Sequence, residues 1–181
     1  MSHGDTALLV IDVQERLLPA IPDGSRVVWN VRRLVDAAKI LGLPVLGTEQ
    51  YPQGLGATVA ELAERLGTLP AKDTFSAGGC PGLFEDLRGR GIHKLLVCGI
   101  EAHVCVAQTT FDLLADGCQV FVAVDAVGSR FAIDRETALK RMDSAGAVLT
   151  TTEAAMFEWC ERSGTPEFKR ISLLAKERAP Q

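Results

Sequence analysis

Two apolar runs, Thr6 to Val13 (TALLVIDV) and Lys94 to Ile100 (KLLVCGI), restrict the fold more than any other feature of the sequence. Neither shows the polar–apolar alternation of a strand with one wet face. Unbroken apolarity over such a length reads as a strand covered on both sides, the habit of parallel sheets sandwiched by helices. Parallel neighbours also need crossover connections, so helices are expected between the strands.

The helical spacing is there. Apolar residues recur at Val27, Val31, Leu34, Val35, Ala38 and Leu41, and Gly42 follows as a stop, which predicts a helix over Val27 to Leu41. Pro44 to Thr48 reads as a second strand, the turn-rich TEQYPQGLG as a loop, and Ala57 to Leu66 as a helix. Leu69 to Ser76 gives a short third strand running into a loop. GGCPG at 78–82 is loop, with Pro81 suited to open a helix over Leu83 to Arg90. After the strand Lys94 to Ile100, the spacing of Val104, Gln108, Phe111, Leu114 and Ala115 predicts a helix that Gly117 ends. Gln119 to Val124 is the fifth strand and DAVGSR a loop. Asp134 reads as the N-cap of a helix reaching Ala145 before Gly146. Ala147 to Thr150 makes the sixth strand, Thr152 caps a helix over TEAAMFEWCER, and Phe168 to Lys176 forms a last amphipathic helix.

This alternation, without repeat or linker, predicts one α/β domain over residues 1–181. Its expected form is a three-layer α/β/α sandwich around a six-stranded, Rossmann-like parallel sheet. Such a sheet has a switch point where the first and fourth strands become neighbours, and ligands bind there at the strands' carboxyl ends.

Charge and cysteine usage narrow the setting. A net charge of −4 with no run of Lys or Arg argues against nucleic-acid or anionic-membrane partners. No apolar run approaches the length that spans a bilayer, and MSHGDTALLVIDVQ lacks the pattern of a secretory leader. The 5 cysteines (80, 98, 105, 118 and 160) are odd in number and show no CxxC spacing. That pattern suits reduced thiols in the cytoplasm, not a disulfide framework.

The turn Gly99-Ile100-Glu101-Ala102-His103 leads into a helix with Cys105 in its first turn. A thiol there meets unpaired N–H groups and the positive end of the helix dipole, and both favour thiolate. Cysteine is equally at home as a small buried hydrophobe, so a nucleophile needs partners. Asp12, at the end of LLVIDV, either caps the following loop or, desolvated near a thiol, serves as proton acceptor. Lys72, at the end of the third strand, is either a solvated surface group or a cation between Asp12 and Cys105 that holds both ionised. Tyr51 and Phe75, on loops at the same edge, line a small pocket or fill core or interface.

In order along the chain, LLVIDVQ, K-x-x-F-S-A at 72–77, VCGIEAHVCV and DAVGSR at 125–130 resemble the isochorismatase-like cysteine hydrolases. The resemblance runs from about Thr6 to Phe157, and TEQYPQGLG is similar to the isochorismatase-domain-containing branch. It implies an Asp–Lys–Cys triad at Asp12, Lys72 and Cys105, a cis peptide at Ile100–Glu101, and an oxyanion hole made by the backbone N–H groups of Glu101 and Cys105. It further implies hydrolysis of a small amide or related acyl compound through a thioester, with no cofactor, in a homo-oligomer. Members that hydrolyse isochorismate lack the cysteine, so Cys105 points to acyl chemistry.

The nicotinamidases of the superfamily carry an Asp-x-His metal site after the second strand, where this chain reads Thr48-Glu49-Gln50-Tyr51-Pro52. With only His3, His93 and His103 in the chain, no metal site is expected. His103 is taken as a turn residue facing solvent or a neighbouring subunit, and Cys80, Cys98, Cys118 and Cys160 as inert. A nucleophile elbow is disfavoured because GIEAHVCV lacks its flanking glycines, and a dinucleotide site because no G-x-G-x-x-G follows the first strand. A redox thiol would need Cys98 or Cys118 as its resolving partner. The alternative to an enzyme is a catalytically idle binding or scaffold protein on the same fold.

Overall fold

Neighbouring side chains of the first apolar run go to opposite sides of the sheet, and both sides are dry. In β1 (Thr6–Ile11), Leu8 and Val10 pack beneath one helix layer, while Ala7, Leu9 and Ile11 pack beneath the other. Each such leucine, fully out of water, contributes about 2 kcal/mol. The computed structural model describes residues 1–180, so residue 181, the end of the expected domain, lies outside the described residues.

The remaining elements follow in chain order. They are α1 (Gly24–Leu41), β2 (Val45–Gln50), α2 (Pro52–Leu55), α3 (Ala60–Leu66), β3 (Ala71–Lys72) and α4 (Glu85–Gly89). Then come β4 (Lys94–Ile100), a π-helical turn (Ala102–Val106), α5 (Ala107–Ala115), β5 (Gln119–Gly128), α6 (Ala132–Ser144), β6 (Val148–Thr150), α7 (Thr152–Cys160) and α8 (Pro166–Ala175). All six strands are parallel, in the order β3-β2-β1-β4-β5-β6. Helices α1, α3, α7 and α8 cover one face, with Trp159 of α7 wholly buried there; α4, α5 and α6 cover the other.

The strand order reverses between β1 and β4, so everything that leaves their carboxyl ends meets in one place. At that seam Gly99 is opposite Ile11, and a Cβ on Gly99 would lie 2.0 Å from the Ile11 carbonyl oxygen. Its φ of 117° also belongs to glycine.

Several boundaries differ from the sequence expectation. β1 stops at Ile11, short of Val13, because Asp12 turns the chain through a left-handed conformation (φ 50°). β2 runs on to Gln50, and the loop expected after it holds the short α2. β3 is only two residues, α3 and α4 are shorter than their apolar spacing suggested, and Pro81 precedes α4 rather than opening it. The helix after β4 begins earlier, as the π turn at Ala102. β5 absorbs DAVG of the expected loop, with a register irregularity against β4 between Val97 and Gly99. The N-caps of α6 and α7 are Phe131 and Thr151, not Asp134 and Thr152. Thr152 instead gives its N–H and hydroxyl to Asp125 Oδ1.

Candidate active site

Asp12 leaves the end of β1 with its N–H still bonded to the Thr48 carbonyl of β2, and its left-handed backbone aims the carboxylate along the sheet edge. A non-glycine residue in that region is uncommon, although aspartate is enriched there, and here the bonds to Thr48 and Lys72 hold it in place. Oδ1 accepts from the Thr48 hydroxyl at 2.8 Å, and Oδ2 accepts from Lys72 Nζ at 2.7 Å. Both ionised side chains are out of solvent, at 0% and 1% exposure. Buried charges persist only when paired and fully hydrogen-bonded, and these are. The Lys72 ammonium also donates to Gln50 Oε1 (2.7 Å) and to the carbonyls of Phe75 (3.0 Å) and Thr74 (3.3 Å). An ammonium has three N–H donors, so none is spare.

Gln50, the last residue of β2, joins this pair to the thiol. Its Nε2 donates to the Asp73 carbonyl at 3.0 Å, which turns Oε1 toward Lys72, and Cys105 Sγ lies 4.0 Å from that same oxygen. Gln14 locks the arrangement from behind: its Oε1 accepts from Gln50 N at 2.8 Å, and its Nε2 donates to Gln50 O (3.0 Å) and Gly56 O (2.7 Å). Thus Asp12, Lys72 and Cys105 come together, and Gln50 touches both the ammonium and the sulfur.

Cys105 sits in the π turn, 4% exposed. The sequence led us to expect a thiol biased toward thiolate; the structure reverses this. Burial first, and then the Asp12 carboxylate, push the Cys105 thiol up to about 12, and Lys72 offsets only part of that. The physical reason is that a buried sulfur loses the water that would stabilise its charge, and the neighbouring carboxylate repels that charge further. The resting sulfur is a neutral thiol beside a carboxylate, an arrangement in which the proton can pass from Sγ to Asp12.

The Ile100–Glu101 peptide is cis. The buried Glu101 carboxylate accepts from Arg130 N (3.1 Å) and Arg130 Nε (3.0 Å), tying the end of β5 to the turn before Cys105. His103 joins the same clasp, with Nδ1 3.1 Å from Ser129 Oγ and Nε2 3.8 Å from Asp134 Oδ2. Its ring nitrogens therefore engage the β5–α6 segment. Tyr51 and Phe75 are 53% and 51% exposed, which rules out a core role. Their backbones belong to the site: Tyr51 N–H donates to the Lys72 carbonyl at 2.9 Å, and the Phe75 carbonyl accepts from the ammonium.

Four contributors escaped the sequence reading. Thr48, Gln50 and Gln14 are polar residues at the ends of apolar runs on the carboxyl edge, the same signal that singled out Asp12. Cys80, read as inert, is a buried thiol that burial pushes up, with the charges of Lys72 and Asp12 acting on it in opposite senses. It shares the electrostatic neighbourhood of Cys105. At the position where nicotinamidases hold a metal, Glu49 Oε1 accepts from Thr58 N and Oγ1, and Gln50 is engaged as above. Both side chains are thus engaged within the chain. Among the described residues no group of three His, Cys, Asp or Glu side chains is arranged to hold an ion.

With this geometry in hand, similarity to known proteins can be placed. A model of the isochorismatase domain matches residues 6–154. Isochorismatase domain-containing protein 2 of Pongo abelii is 44% identical over 179 residues, 98% of this chain and 86% of that protein. A Caenorhabditis elegans structure described as MAR1 ribonuclease is 42% identical with a TM-score of 0.92, covering 100% of this chain and 94% of its own. YcaC of Pseudomonas aeruginosa, described with hexane-2,5-diol and covalent acrylamide, is 28% identical (TM-score 0.85; 97% and 93% covered). YcaC of Escherichia coli, described as an octameric hydrolase of unknown specificity, is 27% identical (TM-score 0.86; 96% and 89% covered).

Proposed function

The chain belongs to the isochorismatase family, and from that premise we propose that it is a metal-independent cysteine hydrolase of small amides or related acyl compounds. The observation that carries this reading is the contact chain Thr48–Asp12–Lys72–Gln50–Cys105 at the switch point of the sheet.

In this reaction Asp12 takes the Cys105 proton as Sγ attacks the carbonyl carbon, so that the unfavourable thiolate never accumulates. The S–C bond forms as the carbonyl π pair moves to oxygen. That oxyanion is held by the backbone N–H groups of Glu101 and Cys105; the position of Cys105 in a first helical turn, where N–H groups lack intrahelical partners, supports this role. Collapse breaks the C–N bond, the amine leaves with the proton from Asp12, and water hydrolyses the thioester to regenerate the thiol. Tyr51 and Phe75 form the apolar rim over which the substrate enters.

The covalent acrylamide described for the P. aeruginosa YcaC supports a site of this fold that meets a small neutral amide. A cytoplasmic homo-oligomer is part of the proposal. It is supported by cysteines that form no disulfide among the described residues, by the exposed Phe131 (63%) and Ile133 (68%), and by the octamer described for the E. coli YcaC. No helix among the described residues is long and apolar enough to cross a membrane.

The test is a screen of primary amides with the wild type and Cys105→Ser, together with mass spectrometry of acid-quenched reactions. A Cys105-dependent amine release and an acyl adduct on Cys105 are expected. The near-complete burial and high proton affinity of the thiol favour one other reading, a catalytically idle binding protein. No adduct and no turnover with any amide would select it.

A further inference from the structure

The two buried ionised side chains tied to Cys105, Asp12 and Lys72, are already paired inside the chain. The Lys72 ammonium spends its donors on Asp12, Gln50 and the Thr74 and Phe75 carbonyls. The Asp12 carboxylate is held by Lys72 and Thr48, at 0% exposure. The Glu101 carboxylate is taken up by two donors of Arg130. What remains to greet a ligand at the thiol is the neutral Gln50 carboxamide, the thiol itself and backbone.

From this we infer that the Cys105 site selects an uncharged substrate: a small amide or comparable acyl compound carrying no carboxylate, phosphate or ammonium. The inference rests on the cysteine-hydrolase reading and narrows its substrate class. A carboxylate or phosphate reaching the thiol finds the Lys72 donors taken and must approach the buried Asp12 charge. A ligand ammonium finds Asp12 held by Lys72 and Thr48 and must approach Lys72. In a desolvated site such like-charge encounters exclude the wrong ligand more strongly than in water. The behaviour of the thiol agrees, since the surroundings resist a negative charge on Sγ itself. Gln50 Oε1 is one of four acceptors around the three donors of the Lys72 ammonium, so Lys72 has no donor left for an anion.

Matched reagents that differ only in charge test this without a known substrate. Iodoacetamide and iodoacetate each form an S–CH2 bond and release iodide, with the thiol proton passing to Asp12 or solvent. Rates at Cys105 are read by peptide mass spectrometry and divided by those of the same chain unfolded in urea. The neutral reagent is expected to be favoured about 100-fold beyond the unfolded ratio, from like-charge exclusion. Propionamide is expected to protect Cys105, and propionate and propylammonium not to. Gln50→Ala leaves Asp12 Oδ2 and the Thr74 and Phe75 carbonyls to take the three Lys72 donors, so the neutral preference is expected to persist; a preference cut about tenfold or more overturns the account of Lys72 as saturated. A wild-type ratio equal to the unfolded one overturns the inference, as does Cys105-dependent cleavage of an oligoribonucleotide. Failure of both reagents to label folded Cys105, while the unfolded chain labels, overturns the hydrolase reading itself.

Discussion

Lys72 Nζ lies 2.7 Å from Asp12 Oδ2 with neither side chain in contact with solvent, across 60 residues of sequence. The pair holds the end of β3 against the end of β1, and its worth depends on both members being present.

Lys72→Met leaves the Asp12 carboxylate buried without its cation and should cost about 4 kcal/mol in urea unfolding. Asp12→Asn combined with Lys72→Met removes both charges and should be less destabilised than the sum of the single variants. The coupling from that double-mutant cycle measures the pair.

Asp12→Asn separates reactivity from catalysis. The Asp12 charge helps push the Cys105 thiol up, so its removal should lower the apparent pKa in an iodoacetamide pH profile and speed labelling at neutral pH. Amide turnover should instead fall by about 100-fold or more, because the proton acceptor is gone.

The wild-type thiol also makes a pH prediction for stability. The folded chain holds the Cys105 proton more tightly than the unfolded chain, whose thiol has the ordinary value of 9.0. The contribution is therefore complete below pH 9 and is lost as pH rises from there toward about 12. Denaturation of wild type and Cys105→Ser should run in parallel below that window, with the wild type losing ground within it.

Thr48→Val removes the one hydroxyl that bonds Asp12 Oδ1 while preserving shape. A lost hydrogen bond to a buried charge should cost about 2 kcal/mol, read from the shift in urea midpoint.

The architecture was legible because β1 and β4 are apolar on both faces and glycine stops at Gly42, Gly117 and Gly146 punctuate the helices. What sequence spacing conveys less well is anything set by tertiary contact. β5 extends to Gly128 because β4 offers it a partner after the register irregularity, not because DAVG has strand character. Asp12, Lys72 and Cys105 could be named from position at strand ends. The sense of the Cys105 shift could not, because it depends first on how deeply the fold buries the sulfur and then on how near it brings the Asp12 carboxylate. Gln14 and Gln50 drew no attention because a glutamine beside a strand looks like ordinary solvated polarity until both ends of its amide are seen to be bound.

The double clasp between Gln14 and Gln50 has a kinetic corollary. With Glu15 N–H on the Ala57 carbonyl and Arg16 N–H on the Leu55 carbonyl, the segments after β1 and β2 form one stiff wall. A wall held in this way moves as one piece, so the carboxamide that touches Cys105 can change its orientation only when both glutamine clasps open together.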